Sequence, residues 1–492
     1  MPRSNDSSFD RSKTPGADFL QLHAEDAPAG GLSDWLAHRL RLAIADGRLP
    51  VGSRLPATRT LAAELRVSRG VVTEAYRRLG EDGHVDGRGR NGTVVVAAPA
   101  TASRPPARGE TPSATELFTT APGADVFDSL RAVPARIDLS PGTPDLAAFP
   151  RAAWLRAERA ALAELAASGF GYGDPRGTPA LRAAVATWVA RARGISVDPD
   201  EVLIVSGTAQ ALTLTAQVLH DSGVREVAVE EPGSLGARQH LRSRGVGTPP
   251  ITVDGDGVRI DDLHASDAPA VLLTPAHQFP TGVVLSGERR RELMRWATGG
   301  GLIVEDDYDA EHRYDRPPVP ALRSMLSEEV IYAGSVSKLL APALRIGWVL
   351  APRRYRDDLV AAKRYADLGN AALPQSALAR LMESGELERH LRHLRPRHRR
   401  RRDTMIGAVA AHLPGAVVHG AAAGLHLLIT FNAGFSDTDL AGAALEEGVK
   451  VQPLSWHRQR AQEPGLVVGY AARTATEIND GIAAIGRAVR RL

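Results

Sequence analysis

The stretch YAGSVSKLLAPALRIGW, residues 332–348, carries Ser335, Ser337, Lys338 and, seven residues after the lysine, Arg345. A lysine alone says little, because most lysines sit in water. Placed at a strand's exit beside a desolvating pocket, it can shed its proton and form a Schiff base with an aldehyde. Serines and an arginine close by are the donors that a phosphate on that aldehyde needs, the arginine as the charge-assisted one. If the aldehyde is pyridoxal phosphate (PLP), three further demands follow. An anion must face the ring nitrogen, a donor must face the phenolate oxygen, and a cup of N–H groups must hold the phosphate. The stretch GLIVEDDYD (301–309) offers Asp306 for the nitrogen and Tyr308 for the phenolate. SGTAQAL (206–212) offers Ser206, Gly207 and Thr208 where a strand ends and a helix opens, a natural phosphate seat. EDDYDAEH also admits a solvated acidic loop, or a metal site of Asp306, Asp307, Asp309 and His312.

These groups need a frame that brings them together. VLIVS (202–206), EVAVEE (226–231), AVLLTP (270–275), GLIVEDD (301–307) and VIYAGS (330–335) are short β-branched runs separated by segments long enough for helical crossovers. That rhythm predicts an α/β body with a mainly parallel sheet and ligands at the carboxyl ends of its strands.

The chain begins differently. In LSDWLAHRLRLAIADGRL the residues Leu32, Leu36, Leu40 and Ile44 recur on one helical face. A short helix, a turn near Arg66–Val67 and a second helix capped by Ser68 follow. The pattern predicts that this second helix exposes Arg69, Thr73, Tyr76 and Arg77, with Val71, Val72, Ala75 and Leu79 inward. A helix of this size fits the major groove of DNA. VDGRGRNGTVVV (85–96) reads as a β-wing with Arg88 and Arg90 at its tip. Residues 30–97 hold 11 Arg and no Lys against 7 acidic residues. A small three-helix domain with surface arginines would share that charge count.

At 492 residues the chain needs more than one core. We assign 1–29 to a disordered tail, 30–97 to the DNA-binding head, 98–135 to a Pro- and Ala-rich linker and 136–492 to the body. A net charge of +3 means that nucleic-acid affinity must come from local clustering. The absence of cysteine excludes disulfides and thiolate chemistry. Without a secretory signal or a long apolar run, a cytoplasmic location is expected.

The head resembles the winged helix-turn-helix of GntR-type regulators through DGRLPVGSRLPATRTLA, VSRGVVTEAYRRL and the Gly-punctuated wing. The body resembles fold-type I aminotransferases, with a smaller α+β C-terminal part, through YGDPRGTPALR, SGTAQAL, TPAHQFPTG, VEDDYD and SVSKLLAPALRIGW. Together they are similar to the MocR/GabR-type regulators. That resemblance implies that Lys338 carries PLP, Asp306 meets its ring nitrogen and Tyr308 its phenolate. Tyr172 would reach the phosphate in the partner subunit of a head-to-tail homodimer. Arg59, Ser68, Arg69, Gly70 and the wing tip would touch double-stranded operator DNA.

The chain also departs from its likenesses. Phe279 stands where aminotransferases place the Asn that bonds the phenolate, and His277 or Gln278 is expected to substitute. Ser234 replaces a ring-stacking Tyr. Val467 replaces the Arg that clamps a substrate α-carboxylate, Arg238 being one candidate for a second clamp. Turnover of ordinary amino acids is therefore not expected, and the effector is expected to be an amine, an amino acid or PLP itself. The run 388–403, with eight arginines, reads either as a solvated helix face or as an auxiliary DNA surface. The leading function is a PLP-dependent transcription regulator rather than an enzyme. A bifunctional aminotransferase with a DNA-binding head, and a cofactor-free regulator using the body as a dimerisation scaffold, stay open.

Overall fold

A computed structural model of the chain describes residues 22, 24–28, 31–87, 89, 92–97, 117–118, 121–313 and 319–492. They fall into two compact units, 1–111 and 112–492.

In the first unit the helix Leu32–Ala45 buries Leu36, Leu40 and Ile44, each at most 2% exposed. The short helix Thr58–Glu64 leads through a turn, with Arg66 at φ 54°, into the helix Arg69–Glu81. The Ser68 side chain accepts the Val71 N–H at 3.4 Å and caps that helix. The wing pairs β1 (Val85–Gly87) with β2 (Thr93–Val95), Val85 opposite Val95. One expectation fails here. Tyr76 is not exposed for DNA: it is 7% exposed, and its hydroxyl donates to the Pro56 carbonyl at 2.8 Å. The helix period explains the change, since position 76 lies one turn from Val72 and Leu79 on the buried side.

The second unit is built on an eight-stranded sheet, which we number β4 (Val202–Val205), β5 (Val227–Glu231), β6 (Pro250–Asp254), β7 (Gly257–Val258), β8 (Ala270–Leu273), β9 (Leu302–Asp307), β10 (Val330–Ser335) and β11 (Gly347–Leu350). β3 (Ile137–Asp138) enters later. The spatial order is β4-β11-β10-β9-β8-β5-β6-β7. Pairs within β10-β9-β8-β5-β6 are parallel, while β11 and β7 run antiparallel to their neighbours. Strands buried on both faces read as continuous apolar runs, which is why VLIV and AVLL are wholly buried.

A smaller antiparallel sheet follows in the order β12 (Val417–His419), β13 (His426–Thr430), β16 (Gly465–Gly469) and β15 (Gln452–Pro453). The helices Asp437–Glu446 and Ala475–Val489 share its core, the second opening with a Thr474–Glu477 capping box. β3 pairs in parallel with β14 (Val449–Lys450). The end of the segment read as a linker joins this body. Leu117, Phe118, Val126 and Leu130 are buried in its core, and Val126–Ala132 is a helix. No helix among the described residues is long and apolar enough to cross a membrane.

Candidate functional site

On the head, Arg59, Ser68, Arg69, Gly70, Thr73 and Arg77 are all exposed. Ser68, Arg69 and Gly70 open the helix Arg69–Glu81, the end whose side chains come nearest base edges when such a helix enters a major groove. Arg69 also donates to Thr58 Oγ1 at 3.4 Å, and Thr73 Oγ1 donates back to the Arg69 carbonyl at 3.0 Å. Arg77 differs from Arg59 and Arg69: Glu74, at 2.6 Å, and Glu81 pair with its guanidinium. Arg88 and Arg90, expected at the wing tip, lie outside the described residues.

In the body, a cavity of about 680 Å³ is walled by Asp306, Tyr308, Lys338 and Arg345 together. β-alternation explains the first two. Along β9 successive side chains point to opposite faces, so Glu305 and Asp307 turn away while Asp306 and then Tyr308 face the cavity. The inward pair is spent structurally. Glu305 accepts the backbone N–H groups of Leu322 and Arg323, and Asp307 takes Arg193 at 2.5 Å and the Tyr332 hydroxyl at 2.6 Å. Asp309 pairs with His277, and His312 Nε2 faces the Lys338 carbonyl at 3.0 Å. Three of the four residues of the metal reading, Asp307, Asp309 and His312, thus serve separate partners.

Asp306 Oδ1 is buried with no hydrogen-bond partner among the described residues. Burial, reinforced by the charges of Asp307 and Asp309 and opposed by Lys338, pushes its carboxyl up to about 7. Burial also lowers the Lys338 ammonium, against the pull of Asp309 and Asp306, which favours the neutral amine. Its Nζ donates to the Gly142 carbonyl. Burial raises the Tyr308 hydroxyl well above its ordinary value, keeping it a proton donor.

Ser206 follows β4 and stands at the N-cap position of the helix Gly207–Asp221, without a side-chain cap bond. Gly207 has φ +79° and a Cβ there would lie 3.1 Å from Arg345 Nη1, so the guanidinium rests directly on the helix start. Arg345 donates to the Ser206 carbonyl, and Asn370 Nδ2 ties the Ser206 hydroxyl (3.3 Å) to the Arg345 carbonyl (3.1 Å). Thr208 follows in the helix's first turn, and Ser335 Oγ accepts the Ser337 N–H at 3.4 Å.

Other expected residues stand elsewhere. Gln278 is no phenolate donor. Its Nε2 donates to the Pro232 and Phe279 carbonyls and its Oε1 accepts from Thr281 N–H and Oγ1, which uses up the amide on its own loop and on the segment after β5. His277 is off the cavity wall, behind Tyr308, with Nδ1 3.0 Å from the Tyr308 hydroxyl and 2.9 Å from Asp309. Tyr172 is 94% exposed. Arg238 is buried away from the cavity, donating to the Trp456 carbonyl at 2.8 Å. Val467 is fully buried against Leu428 and Leu454, and Phe279 packs over that dry cluster. Ser234 lines the cavity as the cap of the helix Leu235–Arg242, accepting the Ala237 N–H at 3.2 Å.

Comparison with known proteins matches residues 32–95 to the bacterial regulatory proteins of the gntR family and residues 135–485 to the aminotransferase class I and II family. The probable rhizopine catabolism regulatory protein MocR of Rhizobium meliloti is 32% identical over 459 residues, covering 91% of each chain. This chain belongs to the MocR-type transcription regulators. The pyridoxine biosynthesis regulator PdxR of Corynebacterium glutamicum is 29% identical over 92% of this chain and 95% of its own. Among solved structures, the α-aminoadipate aminotransferase LysN of Thermus thermophilus, complexed with N-(5'-phosphopyridoxyl)-L-leucine, has a TM-score of 0.68 and 26% identity. It covers 77% of this chain and 96% of its own. The body is a fold-type I aminotransferase fold, a family that works with PLP, and the head binds DNA.

In this MocR-type chain several cavity residues escaped sequence reasoning. Phe127, Leu130 and Arg131 enter from the helix Val126–Ala132, inside the stretch read as a linker. The apolar spacing Val126, Phe127, Leu130 is one helical turn and was the available sign. Lys450, Gln452 and His457 arrive from the C-terminal part with no motif to mark them. The arginine run lies on the helix Glu386–His412, and two of its members point inward. Arg397 (2.8 Å) and Arg401 (2.8 Å) hold Asp145, which is 2% exposed.

Proposed function

We propose that this regulator holds PLP in the body cavity and that ligand chemistry there sets how its heads bind operator DNA. One observation carries the reading: a buried carboxylate oxygen without a partner among the described residues, a lysine biased toward its neutral form and an arginine seated on a helix N-terminus share one wall. These are the three groups the cofactor requires. Asp306 would face the ring nitrogen, Tyr308 the phenolate, and Gly207, Thr208, Ser335, Ser337 and Arg345 the phosphate. Bound at Lys338, PLP supplies an electrophilic carbon to primary amines. The exposed Tyr172 is suited to a phosphate in a second copy, as in a head-to-tail homodimer. The work would be done in the cytoplasm, at paired half-sites spaced by whole helical turns.

We read the body as a sensor rather than a transaminase. The place of an α-carboxylate clamp holds a dry cluster of Val467, Leu428, Leu454 and Phe279, which cannot compensate a buried carboxylate. The ligand must bind one state of the regulator more tightly, a coupling of about 1–3 kcal/mol in typical cases.

The test is the absorption spectrum of the purified protein with and without added PLP, repeated with Lys338→Ala. A near-violet band that borohydride fixes, and that the mutant lacks, is expected, together with altered operator affinity in the mutant. No band at any PLP concentration would leave the scaffold reading. Sustained amino-group transfer from common amino acids would favour the bifunctional one.

A further inference from the structure

Lys363 lies near the end of the helix Arg353–Asp367 and is fully buried. An ammonium out of water is costly unless its three N–H groups meet acceptors. Here all three do. Lys363 Nζ donates to Asn370 Oδ1 at 2.5 Å, Asp367 Oδ2 at 2.7 Å and Gln210 Oε1 at 2.8 Å. An apolar side chain of the same length would avoid the desolvation, so the cation's value lies in what it orders.

A lysine can only donate, so Asn370 and Gln210 must both turn their amide oxygens toward it. Their NH2 groups then have fixed directions. Asn370 Nδ2 donates to the Arg345 carbonyl at 3.1 Å and the Ser206 hydroxyl at 3.3 Å. Gln210 Oε1 also accepts the Ser206 N–H at 2.7 Å, while its Nε2 donates to Asp367 Oδ2 at 2.8 Å. Asp367 Oδ1 accepts the Gly369 N–H at 2.9 Å and closes the turn that carries Asn370.

Two parts of the phosphate seat thus hang on one cation, and both need holding. Arg345 has φ 51°, in the left-handed region that residues with side chains seldom adopt. Its guanidinium rests on Gly207 and donates to the Ser206 carbonyl. Ser206 makes no side-chain cap bond to its own helix, so the amides of Asn370 and Gln210 hold it instead.

We propose that Lys363 is a positioning residue for the cofactor phosphate: through Asn370 and Gln210 it sets Ser206 and Arg345 against each other, although it does not line the cavity itself. The proposal rests on the cofactor reading for the phosphate, and on the Lys363 network alone for the ordering.

The test titrates PLP and, at higher concentrations, pyridoxal into stripped full-length protein and follows the near-violet band. Pyridoxal has the same aldehyde and no phosphate. Lys363→Met keeps the length of the side chain and removes its three donors. It should weaken PLP about tenfold or more, the worth of one misplaced charge-assisted contact, and leave pyridoxal within about twofold of wild type. A lysine that only stabilises the fold would move both ligands alike or neither, and either result overturns the proposal. Should Lys363→Met not fold, Asn370→Ala decides by the same comparison. It cuts the links to the Ser206 hydroxyl and the Arg345 carbonyl while leaving Lys363 with Asp367 and Gln210. Absence of the band in wild type sinks the cofactor reading instead. The ordering is then decided by inorganic phosphate, which should raise the melting temperature of wild type more than that of the variant. No rise in wild type, or an equal rise in both, overturns it.

Discussion

Replacing Asp306 by Asn separates what this carboxylate costs the empty fold from what it gives the cofactor. The two side chains have nearly the same shape, so packing on β9 is preserved. In the cofactor-free protein burial and two neighbouring carboxylates push the Asp306 carboxyl from 3.8 to about 7. A carboxyl raised on folding is penalised where it must ionise. The penalty is fully present above about pH 7 and fades as pH falls toward its unfolded value near 4. Roughly three units at ~1.4 kcal/mol each set a ceiling of about 4 kcal/mol at alkaline pH, before solvent at the cavity mouth screens it. Asp306→Asn should therefore melt higher than wild type at pH 8, by about 2 °C or more, with the gap closing at pH 5. PLP should bind the variant more weakly, because Oδ1, which has no partner among the described residues, would accept the ring N–H under the proposed reading. A charge-assisted hydrogen bond is worth about 1.5–3 kcal/mol, or roughly 10- to 150-fold in affinity. Thermal melts of stripped protein at the two pH values and PLP titrations at pH 8 read both effects. A variant that is no more stable at pH 8, or that binds PLP as wild type does, refutes the assignment.

The same carboxyl should make PLP affinity fall as pH drops: with Asp306 near 7, the ionised fraction declines about tenfold between pH 8 and pH 6. PLP titrations at pH 6, 7 and 8 should show that decline in wild type and a flatter profile in Asp306→Asn. Tyr76→Phe loses the bond to the Pro56 carbonyl and should destabilise the head by about 0.5–1.5 kcal/mol in a denaturant melt. Operator preference should be unchanged in gel-shift assays, because the ring is buried. Asp145→Ala removes the carboxylate shared by Arg397 and Arg401, of which Arg401 keeps the Ala471 carbonyl, and should cost the body about 1–3 kcal/mol, seen as a lower denaturation midpoint. Arg69→Ala should weaken operator binding and reduce its salt slope by about one phosphate contact.

What the sequence disclosed follows from how local each determinant is. Lys338, Asp306, Tyr308 and Arg345 were legible because each sits at a strand end or in the turn after one, where a few neighbouring residues define both element and exposure. The apolar runs of β4, β5, β8, β9 and β10 announced the parallel sheet for the same reason. Tyr76 was misread because its amphipathic ring satisfies either side of a helix; the helix period favours the buried side, and the Pro56 carbonyl, 20 residues away, takes its hydroxyl there. Gln278 was misplaced because its hydrogen bonds close its own loop onto the Pro232 carbonyl, 46 residues away, which no spacing reveals. Lys450 and Gln452 were invisible: two residues of an alternating strand acquire meaning only when β14 lands beside β3, more than 300 positions earlier in the chain.

The departures at Phe279 and Val467 become coherent once the cavity is divided by the elements that build it. The groups fitted to the cofactor come from the ends of β4, β9 and β10, all strands of the large sheet. The clamp position comes from β16 in the small C-terminal sheet, and Lys450 and Gln452 from β14 and β15 beside it. These parts have largely separate cores, so residues on the small sheet can change without disturbing the β9–β10 register that aligns Asp306 with Ala333. Filling the clamp position with Val467 under Phe279 removes a buried cation that would be costly without its carboxylate. A change on the small sheet therefore leaves the wall of Asp306, Lys338 and Arg345 in place, which is what a change of ligand on an unchanged frame requires.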